Sequence, residues 1–221
     1  MQKFATTAPI SAVLDIPAGR IQFIAADRTD TTVEVRPADA TKNRDMKAAE
    51  EIEVSYADGI LRIEAPEAKN RVLGHSGAVE VTVQLPAGSR VEGKSGAAEF
   101  RGVGRLGDVV FTGGYRSVKL DEAASARLTA HDGDVSVGRL GGPAEISTQR
   151  GDIRITEAMG GTVTLTTQSG DISVGAARGV SASLDAGTAY GRISNTLMNA
   201  GTAALDIRAT TSHGDITARS L

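Results

Sequence analysis

The chain has 221 residues, 40% of them hydrophobic but only 3% aromatic, with no cysteine and a formal net charge of −3. The absence of cysteine excludes disulfides, thiolate metal ligands and a cysteine nucleophile. No basic cluster interrupts the sequence, which speaks against nucleic acid, a partner that needs a positive stripe to neutralise its phosphates.

The opening Met-Gln-Lys-Phe-Ala-Thr-Thr-Ala-Pro lacks the apolar run of a signal peptide. No stretch approaches the ~18–20 apolar residues of a membrane span. The expectation is a cytoplasmic protein without direct membrane insertion. Residues 10–16 then alternate as a strand and stop at Pro17-Ala-Gly19, a turn signal. Residues 20–25 and 31–36 follow as strands, the second closed by Pro37. Residues 39–51, rich in Lys, Ala and Glu, predict a short helix with Asp39 or Thr41 near its N-cap. Residues 53–56 and 60–64 read as a hairpin across Asp58-Gly59. Strict alternation over residues 79–85 leads into a second Pro-Ala-Gly turn at Pro86.

From residue 91 a two-strand unit recurs. Its clearest copies are Gly133-Asp-Val-Ser-Val, Gly151-Asp-Ile-Arg-Ile, Gly170-Asp-Ile-Ser-Val and Gly214-Asp-Ile-Thr-Ala. Aligned on the turn inside each unit, the pivots are Gly96, Arg116, Gly133, Gly151, Gly170, Gly191 and Gly214, spaced by 17 to 23 residues. Such a period marks a repeat architecture whose units stack on one shared core. The chain is therefore read as all-β, a β-solenoid over 91–221 with an N-terminal β-rich capping region over 1–90 carrying one helix, together one elongated domain. An ordinary β-sandwich is the alternative, and the regular spacing favours the solenoid.

Period-two alternation assigns the faces. Pointing inward are Val135, Val137, Ile146, Ile153, Ile155, Val163, Leu165, Ile172, Val174, Leu184, Ile193, Leu205, Ile207 and Ile216. Fully burying one such side chain is worth about 1.5–3 kcal/mol, too little for a lone coil to offset its ordering entropy, so the array is the folding unit.

The early alternating strands, the Val-Thr-Val-Gln-Leu-Pro-Ala-Gly segment ending at Gly88 and the Gly-Asp-Ile repeats resemble a bacterial putative-adhesin family, also called the Toastrack domain. The resemblance covers nearly the whole chain. It implies a stacked β-solenoid-like array, supplies no catalytic residues, and suggests an accessory to envelope-stress or transport components.

The residue after the pivot is Asp134, Asp152, Asp171, Arg192 and Asp215 in turn. Equivalent positions of stacked coils lie about 4.8 Å apart, so Asp134, Asp152 and Asp171 are the candidates for a Ca²⁺ site. The competing role is structural, because Asp beside Gly in a tight turn bonds its own backbone. That role is expected here, with no metal and no cofactor. Arg150-Gly-Asp152 spells an integrin tripeptide but is one register of the repeat. His75, His131 and His213 are expected as separate surface turn residues. Ser95-Gly96 and Ser169-Gly170 are not nucleophile elbows, since no helix follows.

The expected function is a non-catalytic binding or assembly module. The alternative is a carbohydrate-active β-helix with Asp152, Asp171, Arg150 and Arg154 on one face; against it, only Tyr115 and Tyr190 could offer a sugar stacking rings in the repeats. The expected partner is another protein or a second copy. A homodimer through the C-terminal edge would cover Leu205, Ile207 and Ile216, since no cap follows the last coil in sequence.

Overall fold

The computed structural model describes residues 1–66, 77–113 and 115–221. Two faces of mostly parallel strands enclose a single apolar core, and each coil contributes one strand to each face. β2 (Ser11–Ala26) is itself a complete coil: its first half pairs in parallel with the start of β7 (Arg90–Gly113) and its second half with the middle of β7. Pro17 therefore lies opposite Gly96, and the Pro-Ala-Gly segment is a pivot inside a coil rather than the end of a strand. The stack thus begins before residue 91, which corrects the expectation that residues 1–90 form only a cap.

β7 is long enough to make one coil and begin the next. The Gly107 amide bonds Ser89 O, so residues 107–113 return over residues 89–95. β8 (Val118–Thr129), β9 (Val135–Leu140), β10 (Ala144–Arg150), β11 (Ile153–Ala158), β12 (Gly161–Ser169) and β13 (Ile172–Ala176) continue the two faces in parallel register. With the two coils that follow, residues 90–221 form seven coils, as the pivots predict.

The last two coils depart from chain order. β14 (Ala182–Tyr190) and β15 (Ile193–Thr196) do not stack on β12 and β13. β16 (Leu205–His213) and β17 (Ile216–Ser220) take that place, pairing with β12 and β13 on one side and with β14 and β15 on the other. Leu205, Ile207 and Ile216 are consequently buried between two coils, so they form no open C-terminal edge. The open edge belongs to β14 and β15.

Twelve of the fourteen residues assigned inward are buried. The exceptions are Leu184, half-buried, and Ile193, 48% exposed. Both pair in register with buried residues, Ile207 and Ile216, so their direction is as expected. They lie on the terminal coil, where no further layer covers them.

The opposite end is closed by the remaining early elements. β1 (Gln2–Ala5), β3 (Asp30–Pro37) and β6 (Val79–Pro86) pair outward from the second half of β2 on one face. On the other face stand β4 (Glu53–Ala57) and β5 (Ile60–Glu64), joined by the expected hairpin, with Asp58 and Gly59 both at positive φ. The Phe4 and Tyr56 rings meet over this end at 5.4 Å. α1 (Asn43–Glu51) starts later than predicted. Its N-cap is Lys42, without a side-chain cap, while Asp39 accepts from the Thr41 amide and hydroxyl in the turn before it. The buried Asp45 accepts the Ala78 amide at 3.0 Å and ties the helix to the approach of β6. Among the described residues, no helix is long and apolar enough to cross a membrane.

Candidate functional site: the pivot corner

The pivots of successive coils stack into one straight corner. At Gly151 and Gly170, φ is +136° and +153°, and an added Cβ would fall 2.3 and 2.1 Å from the carbonyl oxygen of the pivot beneath, Gly133 and Gly151. Only glycine combines that backbone with that approach. Gly214 makes the same contact with Gly170, and Gly191 with Gly214, which repeats the exchanged order of the last two coils.

Beside the glycines runs a file of aspartates. The Asp152 amide donates to Asp134 Oδ1 (2.9 Å), the Asp171 amide to Asp152 Oδ1 (2.8 Å) and the Asp215 amide to Asp171 Oδ1 (2.7 Å). The Arg192 amide donates to Asp215 Oδ1 at 2.8 Å. Each carboxylate thus bonds the backbone of the next coil instead of its own, which corrects the expected local turn bond. That bond satisfies an amide that the sharp corner leaves without a ladder partner. Arg192 does not interrupt the file between Asp171 and Asp215. It ends it, since no amide follows for a carboxylate to accept. Its guanidinium returns to Asp215 Oδ2 at 2.8 and 3.2 Å and, with the Arg192 amide, holds that carboxyl below the usual carboxylate range.

The candidate calcium ligands Asp134, Asp152 and Asp171 therefore stand in file, one per coil. Among the described residues no group of three or more His, Asp or Glu side chains converges to hold a metal ion.

A second file, of threonines, runs along the same corner. Thr148, Thr167, Thr188 and Thr211 each stand three residues before a pivot, and the legible signal is Thr-x-x-Gly. Thr167 Oγ1 donates to Gly151 O at 3.2 Å, Thr211 to Gly170 O at 3.1 Å and Thr188 to Gly214 O at 3.0 Å. Thr148 bonds Arg150 O at 3.2 Å and reaches Gly133 O at 3.5 Å. Hydroxyls inside the coil and carboxylates outside it clamp the same corner.

Two aromatic pairs stand on this corner. Tyr115 stacks on His131 with centroids 5.7 Å apart, and Tyr190 on His213 at 5.0 Å with planes within 11°. The tyrosines are 62% and 71% exposed. His131 and His213 belong to separate coils and do not meet, and His75 lies outside the described residues. Arg150 Nη2 bonds Asp132 Oδ2 at 2.7 Å, so the Arg-Gly-Asp tripeptide is a coil corner with both charged ends engaged. Of the four residues grouped for a carbohydrate-active face, Asp152, Asp171 and Arg150 share this corner. Arg154 projects instead from the face of β11, in register with Ser136 and Ser173.

These corners and faces define a parallel two-faced β-solenoid. The Toastrack DUF4097 family model matches residues 13–220, and the chain belongs to that family. Among solved structures, a putative adhesin of Parabacteroides distasonis aligns over 98% of this chain and 95% of its own at 16% identity, with a TM-score of 0.49. A putative adhesin of Bacteroides fragilis gives the same coverages at 14% identity and a TM-score of 0.46. A protein of Parabacteroides distasonis described as a putative lipid binding protein also covers 98% and 95%, at 13% identity and a TM-score of 0.46. No curated protein matches the sequence.

Proposed function

We propose that the protein is a non-catalytic binding module whose pivot corner is its recognition surface. The observation that carries this reading is the division of labour along the corner. Carboxylates and buried hydroxyls are committed to the backbone, whereas Tyr115 and Tyr190, the exposed aromatic rings among the described residues, stand beside them on a rigid frame. Exposed aromatics on a fixed scaffold lose little entropy on binding, which makes them good anchors. Membership of the family, with the resemblance already drawn, supports a place as accessory to an envelope-stress or transport system.

The test is a panel of immobilised polysaccharides and envelope components, with and without Ca²⁺. Binding that weakens in Tyr115→Ala and Tyr190→Ala but not in Arg154→Ser is expected. Reproducible release of a product from any polysaccharide would overturn the non-catalytic reading in favour of a carbohydrate-active β-helix.

A further inference from the structure

We propose that residues 182–221 form an exchangeable two-coil unit, and that a second copy of this chain is the partner that fits the edge of β12 and β13. Chain order and spatial order conflict at this end of the stack. The coil of β14 and β15 is paired to the rest of the stack only through β16 and β17. It therefore reaches its place in the finished stack only once the later residues have arrived, and the two coils join the body together.

The junction is narrow and specific. β16 meets β12 over Leu205 to His213, and β17 meets β13 over Ile216 to Ser220. At the corner the Asp215 amide enters Asp171 Oδ1, the Thr211 hydroxyl reaches Gly170 O, and the Gly170 amide bonds His213 O. Leu205, Ile207 and Ile216 fill the layer. A segment that satisfies this edge must carry the same inward aliphatics, the same threonine and a pivot at the same spacing. The C-terminal unit of a second copy carries all of them.

The hinge permits the transfer. Residues 177–181 link β13 to β14, with Gly179 at φ +76° and open space around it. Fully extended, five residues reach about 17 Å. Exchange keeps the contacts of β16 and β17 with β12 and β13 and alters only bonds of the hinge itself, such as the Val180 amide to Ala177 O, which is why such swapping is a low-cost route to dimers. The proposal is independent of the corner's ligand: the corner is complete in both the closed and the exchanged form.

Full-length chains that carry paired cysteines test it, because the natural chain has none. Thr166 and Thr210 are exposed register partners across β12 and β16. Thr129 and Ser147 are partners across β8 and β10, inside the body. Thr166→Cys with Thr210→Cys, refolded at rising concentration and then oxidised, should give disulfide-linked dimers in proportion to chain concentration. Thr129→Cys with Ser147→Cys should stay monomeric on a non-reducing gel. Monomers alone in both variants, or dimers in both alike, would overturn the proposal. Light scattering of the natural chain refolded the same way decides the matter even where the thiols stay reduced: a species of two-chain mass is expected, and a single-chain mass at every concentration refutes exchange.

Discussion

The Asp171 carboxylate accepts the Asp215 amide at 2.7 Å, although the two residues are 44 apart and a complete coil lies between them in the chain. That bond records the order in which the coils stack. Wherever a coil has a neighbour above it along the file, from Asp134 onward, the residue after its pivot is an aspartate, and the terminal coil carries Arg192.

Each carboxylate of the file accepts the next coil's amide through Oδ1, an oxygen that asparagine also carries. Asp171→Asn keeps that oxygen and should leave the denaturation midpoint nearly unchanged. Asp171→Ala removes it and should cost about 0.5–1.5 kcal/mol. Millimolar Ca²⁺ should shift the melting temperature of neither variant nor of the natural chain, since a ligand stabilises only what it binds. Urea melts and calorimetry read these outcomes, and a Ca²⁺-dependent rise that vanishes in Asp152→Asn would restore the metal site.

Position along the stack decides how a buried charge is received. Ile153 is fully buried between two coils, so Ile153→Asp should unfold the array. Ile193 points the same way on the terminal coil, where water reaches it, so Ile193→Asp should be tolerated. Arg154→Ser on the outer face should change stability by less than about 0.5 kcal/mol. Equal loss at residues 153 and 193 in denaturant melts would contradict this coil order.

The threonine file makes a separate prediction. Thr167→Val keeps the shape but loses the bond to Gly151 O, and should destabilise by about 1 kcal/mol. Thr164→Val, on the outer side of the same strand, should be close to neutral in the same melts.

Asp30 is expected to contribute to stability in acid. Hydrogen bonds from Arg28 first and Lys3 second hold its carboxyl down to about 2, against an ordinary value of 3.8. A depressed carboxyl contributes its stability in full above the unfolded value and loses it as pH falls through the folded one. The difference in melting temperature between the natural chain and Asp30→Asn should therefore be constant above about pH 5 and shrink through the interval from 3.8 down to about 2. A difference that stays constant across this interval would show that Asp30 acts without its charge.

Much of this molecule was legible in the chain itself. Alternation placed Ile153, Ile155, Leu165 and Val174 inside because a strand's side chains change face at every residue. The pivots were legible because a corner that stacks backbone on backbone admits little but glycine. The order of the last coils is not legible there, because the hydrogen-bond ladder between parallel strands is indifferent to side chains and either coil presents a suitable backbone. Only the packed structure decided between them. Leu205, Ile207 and Ala218 make an apolar layer fit for burial on both sides, whereas the equivalent Ala182, Leu184 and Asn195 include an amide that an interior layer would leave without water. Arg192 was visible in the sequence as a departure from the post-pivot aspartates, but its meaning depended on which coil lay above it.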